Sequence, residues 1–117
     1  MFTAIVVGTD GSDTAGKAVQ AATDLARQVG ASLSVVSAYE PVSNQRLREE
    51  KREVPKDLEW MVNPREDVEA TLKEAAEQIE ETGVKVETFA REGDAADAIL
   101  DVAEETHADL IVVGNKG

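Results

Sequence analysis

Few residues of this chain can do chemistry, and their types already narrow what that chemistry is. There is no cysteine and one histidine, His107. Disulfides, thiolate metal sites and cysteine nucleophiles are therefore excluded, as are sites that need several imidazoles. Three short segments remain. Gly8-Thr9-Asp10-Gly11-Ser12-Asp13 places an acid and small residues at the start of a helical pattern, where free backbone amides attract an anion. Gly114-Asn115-Lys116-Gly117 sets two glycines three apart around a lysine, a spacing that lets a backbone approach a phosphate closely. Glu92-Gly93-Asp94 leads into another helical pattern. Each segment also has a plain structural reading: Asp10 caps a turn, the glycines end a strand, and Gly93-Asp94 is a turn and helix cap. Asp10 is an acceptor-only carboxylate, suited to a ribose hydroxyl or a metal ion rather than directly to a phosphate. No segment pairs a nucleophile with a general base, so no catalytic residue and no protein metal site is assigned.

Familiar nucleotide motifs are missing. Neither G-x-x-x-x-G-K-[ST] nor G-x-G-x-x-G occurs, and Asp10 and Asp13 lack the D-x-D spacing of an aspartyl-nucleophile phosphatase. His107 falls at the end of a helical pattern, where a cation suits the helix dipole, and reads as structural.

The elements that must position these segments are legible from periodicity. Thr3–Gly8 and Asp109–Gly114 are short apolar runs, each expected to be a strand buried on both faces. Ser32–Tyr39 is a further strand, and Val84–Phe89 alternates as a strand with one wetter face does at a sheet edge. Ala15, Ala18, Val19, Ala22, Ala26 and Val29 form one helical face, with Ser12 or Asp13 as N-cap and Gly30 as the stop. Two more helices are predicted over Arg65–Thr82, with Val68, Leu72, Ala75 and Ile79 inward, and over Asp94–Thr106, with Ala96, Ile99, Leu100 and Ala103 inward. Strands alternating with amphipathic helices imply a parallel α/β sheet with right-handed crossovers. In such a sheet a ligand binds beyond the carboxyl ends of the strands, where the strand order reverses.

Glu40–Pro64 breaks this rhythm. It holds all three prolines and five of the twelve basic residues. The reading is a solvated excursion with a short helix near Gln45–Glu53, and the alternative is a lid or a partner-contact arm. Trp60 and Met61 read as anchors onto the body.

Composition sets the outer limits. The 117 residues fit one domain, and with aromatics at 3% the core must be built from Val, Ile, Leu and Ala. Met1–Asp10 runs directly into a strand pattern without the basic leader of a signal peptide, and no apolar run approaches a membrane span. Lys and Arg number 12 against 24 Asp and Glu, a net charge of −12 that repels nucleic-acid phosphates. The acids are dispersed along helices rather than gathered in a tail, which implies a solvated, salt-tolerant, halophilic surface.

Taken together, T-D-G-S after an apolar strand, the Ala-rich helix, a second strand ending S-A-Y, E-G-D-A-A-D-A-I and A-D-L-I-V-V-G-N-K-G resemble the universal stress protein family. The resemblance spans nearly the whole chain outside Glu40–Pro64. It implies an open, doubly wound, Rossmann-like sheet of the adenine nucleotide α-hydrolase type, in the order 3-2-1-4-5, and commonly a homodimer. In the ATP-binding branch it implies nucleotide contacts at Thr9, Asp10, Gly11 and Ser12, an adenine-lining position at Ala38, and phosphate contacts at Gly114, Asn115, Lys116 and Gly117. The branch's phosphate loop reads G-x2-G-x9-G-[ST], and only its first half is matched. The second half and the fifth strand are absent, so residues 1–117 are expected to be a single, C-terminally incomplete domain with the order 3-2-1-4. An apolar fourth strand without a neighbour is an aggregation hazard.

The function this implies is a cytoplasmic stress-response protein that binds ATP or another adenine nucleotide, with Mg²⁺ as a companion ion, and lacks strong catalysis. It engages neither nucleic acid nor membrane. The alternative is a family member that binds no nucleotide and acts as a dimeric interaction module. An adenylyl-transferring enzyme of related architecture is less well supported, because it wants a glycine-rich loop after the first strand.

Overall fold

The computed structural model describes residues 3–39 and 65–114. The expectations for 40–64, including the short helix, Trp60 and Met61, lie outside these residues. Four strands, β1 (Ala4–Gly8), β2 (Ser32–Tyr39), β3 (Val86–Glu92) and β4 (Leu110–Val112), alternate with three helices. The helices are α1 (Asp13–Val29), α2 (Arg65–Glu80) and α3 (Ala95–Glu105). All strand pairs are parallel, in the order β3-β2-β1-β4, as expected. The order reverses at β1, which leaves a crevice between the carboxyl ends of β1 and β4.

The pleat explains the two-faced core. Ile5, Val7, Leu33 and Val35 point to one face, where they meet Ala18, Ala22 and Ala26 of α1 and Val68, Leu72 and Ile79 of α2. Val6 and Val36 point to the other face and meet Ala98 and Val102 of α3. The alanines of α1 bring that helix close to the sheet. Both ends of α1 are fixed locally. Ser12 Oγ accepts from the Ala15 amide at 3.2 Å, and Gly30 turns left-handed at φ +73° so that the Ala31 amide reaches the Ala26 carbonyl at 3.0 Å.

The extents of β3 and β4 and the inward face of α3 differ most from the sequence reading. β3 begins at Val86 rather than Val84 and continues to Glu92, because β2 pairs with it residue by residue from Leu33↔Val86 to Tyr39↔Glu92. Main-chain pairing thus recruits the polar Arg91 and Glu92, which no hydrophobic alternation marks. β4 is limited to Leu110–Val112, the residues that pair with Ile5–Val7. Finally, α3 buries Ala98 and Val102 and half-buries Ile99 and Ala103, whereas Ala96 is exposed and Leu100 is 58% exposed. Apolar residues cover more than half of this helix, so periodicity alone left its inward face undetermined by about one residue.

Candidate functional site

The segment after β1 makes a tight, self-bonded turn. The Thr9 amide donates to the Val36 carbonyl at 2.9 Å, which continues the β1–β2 ladder past Gly8. Thr9 Oγ1 then accepts from the Gly11 amide at 3.1 Å, and Asp10 Oδ1 accepts from the Ser12 amide at 2.9 Å. Gly11 bends the chain at φ +83°, a value that favours glycine. The Ser12 amide is therefore held by Asp10. The first-turn amides of Asp13 and Thr14 have no carbonyl a turn earlier to bond, as at any helix start.

The crevice formed here is lined by Gly8, Thr9, Asp10, Ser12, Thr14 and Ala15 from β1 and α1. Val36 and Ala38 of β2, Ala95 and Ile99 of α3, and Val113 and Gly114 after β4 complete it. It has two halves. Gly8, Val36, Ala38, Ala95 and Ile99 make an apolar compartment on the α3 side of the sheet. Thr9, Asp10, Ser12 and Thr14 make a polar one at the start of α1. Gly114 closes the polar half: a Cβ there would lie 3.1 Å from the Thr14 carbonyl oxygen, so the chain passes hard against the first turn of α1.

Thr9, Asp10, Ser12, Ala38 and Gly114 thus come together at one crevice. Gly11 shapes the turn without lining the space. Asn115, Lys116 and Gly117 lie outside the described residues. Sequence reasoning missed Thr14, Ala15, Val36, Ala95, Ile99 and Val113 as lining residues. The spacing of Ala95 and Ile99, one helical turn apart after Gly93-Asp94, was the available signal for two of them. Glu92-Gly93-Asp94 acts as an entry turn to α3: Gly93 adopts φ +110°, its amide donates to the Tyr39 carbonyl at 2.9 Å, and Asp94 Oδ1 accepts from the Ala96 amide at 2.7 Å. Among the described residues no group of three or more His, Asp or Glu side chains is placed to hold a metal ion.

The profile of the universal stress protein family matches residues 1–117. The chain belongs to the universal stress protein family. A universal stress protein of Mycobacterium tuberculosis is 36% identical over 117 residues, covering 99% of this chain and 77% of the relative. A universal stress protein solved in complex with cAMP superposes with a TM-score of 0.74 at 35% identity, covering 98% of this chain and 77% of that one. The universal stress protein of Archaeoglobus fulgidus in complex with dAMP superposes with a TM-score of 0.66 at 25% identity, covering 95% of this chain and 79% of that one. The universal stress protein fold therefore accounts for the strand order and for the crevice at its reversal point.

His107 is not part of this site. It sits at the opposite end of α3 with φ +54°. Its amide donates to the Glu104 carbonyl at 3.3 Å, and the Ala108 amide donates to the Ala103 carbonyl at 2.9 Å. This is the helix-ending turn that glycine usually supplies.

Proposed function

We propose that this universal stress protein binds an adenine nucleotide in the β1/β4 crevice and works by nucleotide-dependent association rather than by catalysis. The observation that carries this reading is the division of the crevice. An apolar compartment suited to a flat base adjoins a polar turn suited to a ribose, and the first-turn amides of α1 lie beyond it for phosphate. Asp10 is the acceptor for a ribose hydroxyl, or for a Mg²⁺ ion that arrives with the phosphates. The cAMP and dAMP complexes of the two structural relatives support an adenine ligand. Within that class ATP is the proposed ligand, with Asn115, Lys116 and Gly117 as further phosphate contacts. The proposed setting is the cytoplasm, where adenine nucleotides are abundant, with neither nucleic acid nor membrane as a partner.

A second reading, an interaction module, is favoured by one observation. Ile111 and Val113 at β4 are 38% and 62% exposed, and β4 pairs only with β1 among the described strands. We propose that this edge docks a second copy of the chain, forming a homodimer. Native purification followed by nucleotide extraction tests the first reading, together with calorimetric titration using adenosine and ATP. Absence of adenine nucleotide, with no heat of binding to either, would leave the interaction module as the better account.

A further inference from the structure

Two residues that line the apolar compartment, Gly8 and Ile99, press directly against each other. Gly8, the last residue of β1, faces α3. A Cβ built on it would lie 2.5 Å from Cδ1 and 3.1 Å from Cγ1 of Ile99. Gly8 is not among the positive-φ glycines, so its backbone tolerates any side chain and the restriction is steric. Ile99 is half-buried, packs against the cluster of Val6, Val36, Ala98 and Val102, and lines the crevice. A side chain added at position 8 must displace Ile99. The cluster behind it is close-packed, with Val6 and Val102 fully buried, so the displaced side chain moves into the crevice.

We infer that the Gly8–Ile99 contact sets the depth of the base compartment, and that Ile99 decides which purines fit. This inference rests on the adenine-nucleotide reading above. The ribose of such a ligand belongs with the polar turn at Thr9–Ser12, so the end of the purine farthest from the sugar points to the Gly8–Ile99 contact. That end carries C2 and the exocyclic N6. Ile99 therefore excludes purines bearing bulk at those positions, and shortening it opens the compartment to them. Its role is selection by shape, and it performs no proton or group transfer.

The test uses Ile99→Ala, Ile99→Val, Gly8→Ala and the double variant Gly8→Ala/Ile99→Ala, titrated with adenosine, N6-benzyladenosine and 2-phenylaminoadenosine. Circular dichroism melts establish that each variant is folded. Ile99→Val, which removes only Cδ1, is the mild variant should Ile99→Ala fail to fold. We expect Gly8→Ala to weaken adenosine binding at least tenfold. The double variant should restore it to within about threefold of Ile99→Ala, since the atoms in conflict are gone. Ile99→Ala should bind at least one substituted adenosine tenfold more tightly than the parent does, with Ile99→Val gaining less. A merely structural role would not exchange one ligand preference for another. If the parent binds adenosine but no Ile99 variant gains a substituted ligand, or Gly8→Ala binds adenosine as the parent does, the gate is wrong and the nucleotide reading stands. If the folded parent binds ATP but no adenosine, the compartment does not hold the base by itself and the gate is wrong; if it binds neither, the nucleotide reading fails and the gate falls with it.

Discussion

Strand β1 has an aspartate at each end, and the two are used in opposite ways. At the amino end, Asp109 reaches over from the start of β4. One of its carboxylate oxygens, Oδ2, accepts from the Thr3 amide at 2.7 Å, the Thr3 hydroxyl at 2.9 Å and the Ala4 amide at 3.0 Å. Its own amide donates to the Ala4 carbonyl at 2.8 Å. At the carboxyl end, Asp10 ties down the Ser12 amide and lines the open crevice. The first carboxylate is spent on joining two strands, whereas the second shapes a turn beside space for a ligand. The hydrogen bonds from Thr3, backbone and side chain, and from Ala4 hold the Asp109 carboxyl below its ordinary value of 3.8. Residue type alone thus says little about the role of an acid; its position relative to the direction of a parallel strand says more.

The largest expected effect comes from removing each acid in turn. Asp10→Ala should weaken adenine-nucleotide binding about tenfold or more, the loss of a hydrogen bond to a charged group, while the melting temperature changes little. Asp109→Ala should do the reverse, lowering the melting temperature and leaving affinity intact. Parallel titration calorimetry and thermal melts check both. A common loss of binding and stability in either variant would erase the distinction between the two ends.

Next in size is a response of the whole surface. The net charge of −12 makes the compact chain repel itself at low ionic strength. The Debye length shrinks from about 30 Å at 0.01 M salt to about 3 Å at 1 M. The melting temperature of the parent and of Asp109→Ala should therefore rise together between low and molar KCl, which separates surface repulsion from the local clamp. A melt unaffected by KCl contradicts the salt-tolerant reading of the acidic surface.

A smaller effect isolates the clamp by pH. The folded-state pKa of Asp109 is lowered, so its contribution is fully present above the unfolded value of 3.8 and is lost as pH falls through the lower folded value. The difference in melting temperature between the parent and Asp109→Asn should be constant near neutrality and shrink in that acid window. A difference that persists to lower pH would mean the charge of Asp109 is not what matters. The smallest effect comes from His107→Gly at the same closed end of the molecule. Relieving a left-handed non-glycine residue should raise stability by about 0.5–1 kcal/mol in denaturant titration, with nucleotide affinity unchanged.

Much of this fold was legible because its signals are local. Ser12 and Gly30 mark the ends of α1 by hydrogen bonds that span only a few residues, and the Thr9–Ser12 turn was recognisable as a candidate site from its residue types. The order 3-2-1-4 was available through the family resemblance carried by T-D-G-S and A-D-L-I-V-V-G-N-K-G. Less legible was how the turn uses its own groups. The Asp10 carboxylate and the Ser12 amide engage each other, and only their 2.9 Å separation shows that the pair is closed.

The amino-acid sequence by itself determined the order of strands and helices and their positions to within a few residues, where α1 starts and stops, and which chain segments carry polar groups suited to an anion. These follow from periodicity, capping and turn chemistry within a few residues of one another. Tertiary structure alone decided that α3 turns Ala98 and Val102 inward and leaves Leu100 in water, that β3 extends to Glu92, and that Gly8 rests on Ile99. Each of these depends on partners distant in the chain, brought together by parallel strand pairing and by the packing of α3 on one face of the sheet. The apolar residues of α3 were equally compatible with another rotation until Val6, Gly8 and Val36 supplied the surface that selects one.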